Sequence, residues 1–149
     1  MLRLLAGLLA GCAATAPMTL VMQIAHRWPR PEREALPPQQ ITEEITDRVG
    51  LDAQLDAPKL AAAVWAAHFG FGAAAGALYA QFFSKIKAPT PLKGVVWGLF
   101  IWSISYLGWV PAAQILPPAT EQSARRNGLM IGAHLVWGIV LAHLVEANE

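Results

Sequence analysis

Long apolar runs alternate with short charged ones along this chain. Near-chargeless stretches fall at about residues 4–24, 60–83, 94–116 and 128–145. A hydrocarbon core of ~30 Å takes roughly 20 helical residues to cross. Lipid offers backbone groups no hydrogen-bond partner, so helix is the only economical conformation for such runs. The pattern predicts an all-α, polytopic membrane protein: one integral domain over residues 1–149 with four transmembrane helices. A different periodicity marks the first loop. Ile41, Ile45 and Val49 repeat at four, while Glu43, Glu44, Asp47 and Arg48 face away. That predicts a short amphipathic helix over about 39–49, lying on the membrane or capping the bundle. Glu44 and Arg48 are spaced for a helical ion pair, and Gly50 is a suitable stop. Before it, Arg27-Trp28-Pro29-Arg30-Pro31-Glu32-Arg33 should be extended, with Trp28 at the interface.

The spans fall into two similar units. Gly7 and Gly11 open the first span, as Gly94 and Gly98 open the third. Leu36-Pro37-Pro38 follows the first span, and Leu116-Pro117-Pro118 follows the third. Ala67-His68 with Gly72 then marks the second span, and Ala133-His134 with Gly138 the fourth. The shared order predicts two tandem helical hairpins, a parallel internal repeat with its axis along the membrane normal. Residues four apart share a helix face. Gly7, Gly11, Thr15, Thr19 and Gln23 form one such face, and Val64, His68, Gly72, Gly76 and Ala80 another. Met130, His134, Gly138 and Ala142 form a third. Small residues let membrane helices approach closely. Gly7, Gly11, Gly72, Gly76, Gly94, Gly98 and Gly138 are therefore the expected packing positions, and both histidines are expected to point inward. On the third span, Trp102 and Tyr106 continue the glycine face, with Ser103 and Ser105 nearby. Pro17 should kink the first helix, and Trp109 and Pro111 should mark the end of the third.

Composition agrees with membrane residence: 55% of residues are hydrophobic and 14% charged, against about 25% charged in soluble domains. The net charge of +1 and the scattered basic residues point to no nucleic-acid partner. Leu9-Ala10-Gly11-Cys12 resembles a lipoprotein processing site, but the apolar run before it is short and continues to Ile24. Cys12 is read as a packing residue in a span. Arg27, Arg30, Arg33, Arg48, Lys59, Arg125 and Arg126 lie on the Leu-Pro-Pro side, against Arg3, Lys85, Lys87 and Lys93 on the other. The positive-inside rule then favours cytoplasmic Leu-Pro-Pro loops and outside termini, although the acid-free Lys85-Ile86-Lys87 loop pulls the other way.

The candidate chemistry is the histidine pair. A neutral imidazole has one donor and one acceptor and can tie two helices together. In a second reading, His68 and His134 are the axial ligands of a haem b, with the glycines making room for the porphyrin. A third is a small-solute or ion transporter or channel, acting as an oligomer. No nucleophile–base pair, phosphate loop or zinc spacing is present, so no enzyme and no metal site are expected. His143 and Glu146 are three apart, but two exposed ligands make a weak site.

The Pro-rich segment from Arg30-Pro31 through Leu36-Pro37-Pro38 and the late His134-Leu135-Val136-Trp137-Gly138 helix resemble YagU-like bacterial inner-membrane proteins. That resemblance implies a small multi-pass protein of the bacterial inner membrane, without an assigned activity and linked to envelope or acid stress. It implies no catalytic residues. The lipid bilayer and further copies of the chain are the expected partners.

Overall fold

The computed structural model describes residues 1–27 and 34–147. Among them, four helices are long and apolar enough to cross a membrane: α1 (Leu2–Arg27), α3 (Ala57–Phe83), α4 (Thr90–Ala112) and α5 (Ala124–Glu146). A shorter helix, α2 (Pro37–Arg48), lies between α1 and α3. No strand occurs among the described residues. The segment expected to be extended, with Trp28 as anchor, lies outside the described residues except for Arg27, which ends α1.

The helices reach beyond their apolar runs because polar caps extend them. Asp56 accepts from the Lys59 N–H at 3.0 Å and starts α3. Ser123 accepts from the Arg126 N–H at 3.2 Å and starts α5. Each satisfies a backbone donor that the first turn leaves orphaned. At the other end, the third span stops at Ala112, short of the expected 116. Gln114 there takes φ 56°, which ends helical geometry. Two wide turns interrupt the ladders. At Tyr79–Phe83 the Ser84 N–H donates to Tyr79 O at 2.9 Å, five residues back. At Ile104–Trp109 the helix breaks at Gly108 (φ −110°, ψ −108°). Pro111 lies just beyond; it brings no N–H, and its ring crowds the carbonyl four residues earlier. By contrast, α1 runs unbroken through Pro17.

Three interfaces hold the bundle together: α1 with α3, α1 with α5, and α4 with α5. Glycines set the first and third. A Cβ on Gly7 would lie 2.6 Å from Gly76 O, and one on Gly11 would collide with Gly72 O. Across the other pair, a Cβ on Gly94 would lie 2.6 Å from Gly138 O, and one on Gly98 would collide with His134 O. Relative to their histidines the two crossings are offset by one helical turn: Gly11 opposes Gly72, whereas Gly94 opposes Gly138. The fourth flank is different. Between α3 and α4, substantial packing is confined to the wide turn at Tyr79–Phe83, where the rings of Tyr79, Phe83 and Trp97 meet in tilted and edge-on contacts. Away from that end the two helices stand apart. Outward-facing Leu9, Leu20, Phe82 and Phe100 give the bundle an apolar exterior.

Candidate functional site

The open flank between α3 and α4 leads to a cavity of about 260 Å³. Thr15 and Met18 of α1, His68 and Phe71 of α3, Ser105, Tyr106 and Trp109 of α4, and Met130, His134 and Trp137 of α5 form its walls. Its roof is α2, through Pro38, Ile41, Thr42 and Ile45. Ile41 and Ile45 of the apolar stripe thus border the cavity, although Ile45 is itself 41% exposed and the buried residues of α2 are Pro37, Thr42 and Thr46. Both threonines are accommodated by bonding back to their own helix, at Pro38 O and Glu43 O. Val49, the third member of the stripe, is exposed.

Two arginines pin this roof. Arg126, at the start of α5 and buried, bonds to Ala35 O and to Gln40 Oε1. Arg48, at the far end of α2, donates to Ala113 O at 2.5 Å and Gln114 O at 2.6 Å while pairing with Glu44 at 2.8 Å. The expected Glu44–Arg48 pair is present, and the guanidinium also fastens α2 to the loop after α4. Sequence reading paired Arg48 with Glu44 and treated Arg126 only as loop charge.

Both histidines line the cavity, in different ways. The Thr19 hydroxyl donates its single hydrogen to Thr15 O at 2.7 Å. Its oxygen therefore accepts from His68 Nε2–H, 3.1 Å away. This bond ties α3 to α1, as expected of a cross-linking imidazole. Among the described residues His134 makes no hydrogen bond to another helix. Its Nδ1 donates to Met130 O at 2.7 Å, within its own helix. A carbonyl can only accept, so the proton of the neutral ring sits on Nδ1 and Nε2 is a bare lone pair. His134 is 5% exposed, and Nε2 has no hydrogen-bond partner among the described residues. The Tyr106 ring stands edge-on against it, centroids 5.9 Å apart.

Ser105 also lines the cavity, and its buried hydroxyl has no hydrogen-bond partner among the described residues, as is true of His26 Nδ1, Trp97 Nε1 and Trp102 Nε1 away from the cavity. A helical serine usually bonds back to the carbonyl four residues earlier. Here the wide turn at Ile104–Trp109 changes that geometry. Ser105 Oγ and His134 are not hydrogen-bonded to each other. Phe71 and Trp109, 6.4 Å apart, reach across the open flank. The site is mostly apolar with a few convergent polar atoms, the usual make-up of a small-molecule pocket.

At the opposite end of the bundle lies a cluster not anticipated from sequence. Lys93 is 6% exposed and pairs with Glu146 at 2.7 Å while donating to Ser84 O at 2.9 Å. The carboxylate also accepts from Tyr79 Oη at 2.8 Å and Thr90 Oγ1 at 2.5 Å. Glu146 therefore belongs to a clasp between α3, α4 and α5, and His143 instead bonds Ile139 O. Among the described residues, no group of three or more His, Cys, Asp or Glu is placed to hold a metal ion. The sequence signal was a lysine beside the glycine face of one span and a glutamate at the end of another. Their register only becomes visible once α4 and α5 are paired.

A family model described as a protein of unknown function, DUF1440, matches residues 23–143. No curated protein and no solved structure matches this chain.

Proposed function

Taking as its premise that the chain belongs to the DUF1440 family of unknown function, we propose that this multi-pass protein is a membrane-embedded receptor for a small, largely apolar molecule. The supporting observation is the cavity of about 260 Å³ on the open α3–α4 flank, roofed by an α2 that is pinned at both ends. One chain completes this site, so self-association is not needed to build it. The bacterial inner membrane and an envelope or acid-stress role fit the YagU-like resemblance.

A carrier would use the same cavity, with α2 as the moving part. The haem reading fits less well. Bis-histidine ligation needs both imidazoles free to face one iron, yet His68 Nε2 is engaged by Thr19. The duplicated hairpin belongs to the proposal in a modified register. Matching Gly11 with Gly94 and His68 with His134 aligns both crossings, one turn away from the alignment of the glycine pairs.

Binding of toluene to the full chain in lipid nanodiscs, followed by calorimetry, tests the receptor reading. Saturable binding is expected, and Ala67→Phe, which fills the cavity from α3, should abolish it. Absence of saturable binding overturns the reading, and a Soret band in the purified protein would replace it with the haem one.

A further inference from the structure

The polar atoms of the cavity specify more than an apolar guest. His134 Nε2 offers a lone pair and no proton, because Nδ1 carries the hydrogen shared with Met130 O. Ser105 Oγ offers a hydrogen and a lone pair, and has no partner of its own. Both side chains are 5% exposed, and both line the same cavity. A buried polar group without a partner is costly; Ser105 Oγ is one, and His134 Nε2 makes no hydrogen bond among the described residues, so the two around one space call for a shared partner. That partner must donate to His134 and accept from Ser105. A single hydroxyl oxygen does both. The remaining wall is supplied by Met18, Phe71, Tyr106, Trp109, Met130 and Trp137, which suits a ring or a short hydrocarbon and excludes a second charged group. Among the cavity-lining residues there is no carboxylate, lysine or arginine to neutralise an ionic ligand.

We propose that the cavity recognises a small lipid-soluble alcohol or phenol, its hydroxyl held between His134 Nε2 and Ser105 Oγ and its apolar body lying towards the Phe71–Trp109 opening. This deepens the receptor reading and rests on it. Phe71 and Trp109 are partly exposed on the open flank, so the guest would arrive from the side of the lipid rather than through the roof.

The test compares p-cresol with 4-methylanisole, which has the same ring and methyl group but no hydroxyl hydrogen. Both are titrated against the full chain in nanodiscs, with empty nanodiscs subtracted for partitioning. The wild type should bind cresol about tenfold more tightly than the ether, the value of roughly one buried hydrogen bond. In His134→Phe that preference should vanish while the ether still binds. Ser105→Ala, a change too small to threaten folding, should weaken cresol and ether alike by severalfold, because either oxygen can accept from Oγ, and leave toluene unaffected; it decides the question if His134→Phe fails to fold. Equal binding of cresol and ether by the wild type, a preference that survives in His134→Phe, or cresol and ether affinities unchanged relative to toluene in Ser105→Ala overturns this assignment and leaves the receptor reading standing. Failure of toluene, cresol and ether alike overturns the receptor reading itself, and this assignment with it.

Discussion

Replacing Gly76 by alanine puts the α1–α3 interface under a measurable load. The new Cβ would lie 2.6 Å from Gly11 Cα and 2.9 Å from Gly11 N. Carbon atoms in contact normally stand ~3.5–4.0 Å apart, and neither neighbour is a flexible side chain. The helices must therefore separate by about 1 Å, which forfeits up to about half of each dispersion well of ~0.1–0.2 kcal/mol. Over the few tens of atom pairs in such a crossing the loss is ~2–3 kcal/mol, within the usual range for overpacking of about 1–3 kcal/mol. In membranes this term matters most, because lipid removes the hydrophobic drive for helix pairing. Alanine returns up to ~1 kcal/mol through better helix propensity, leaving a net destabilisation of about 1–2 kcal/mol. Gly70 provides the control on the same helix: nothing lies within 4 Å of its would-be Cβ. Gly70→Ala should keep only the propensity gain and be neutral or stabilising by up to ~1 kcal/mol. Reversible unfolding by SDS titration in mixed micelles measures both. Shifts of the same sign and size would refute the claim that glycine is needed for close backbone approach at Gly76.

The remaining predictions concern the polar ties. Lys93→Met should destabilise by about 3 kcal/mol, because it leaves Glu146 without its cation in a partly buried site; the double variant Lys93→Met with Glu146→Leu should recover most of that in the same titration. Arg126→Ala should free the N-terminal end of α2 and Arg48→Ala its C-terminal end, seen as faster amide exchange across residues 37–48 with protection in α5 unchanged. Thr19→Val should cost about 1 kcal/mol through the lost His68 bond; a value near zero would mean that this bond does not hold α3 to α1.

Much of the helical architecture was legible because hydropathy and glycine spacing are local signals. The apolar runs located all four long helices, and the four-residue repeat located α2 to within two residues at its start. Their ends were less legible. Asp56 and Ser123 extend α3 and α5 into polar sequence by capping, and Gln114 stops α4 inside an apolar stretch. Hydropathy cannot register either effect. The histidines could be read as inward-facing, but their different roles could not. Thr19 happens to lie two turns beyond Gly11, on the α1 face that meets α3, whereas α4 presents Trp102 after Gly98. Least legible were Arg48, Arg126, Lys93 and Glu146, whose partners lie tens of residues away. Their identity as charges was plain, and their geometry depended on which helices pack. The open α3–α4 flank had no signal, since a missing interface leaves no pattern in the residues that would have formed it.

That flank gives the bundle a mechanical character. Three tight seams and one slack one make a C-shaped cross-section, not a closed ring. Sideways compression by the surrounding acyl chains would be taken up at the slack seam, because the glycine-locked seams cannot yield without backbone collision. Membrane thickness, tension and acyl packing would therefore act directly on the width of the mouth between Phe71 and Trp109. Occupancy of the pocket and the physical state of the bilayer would then be two loads on one spring.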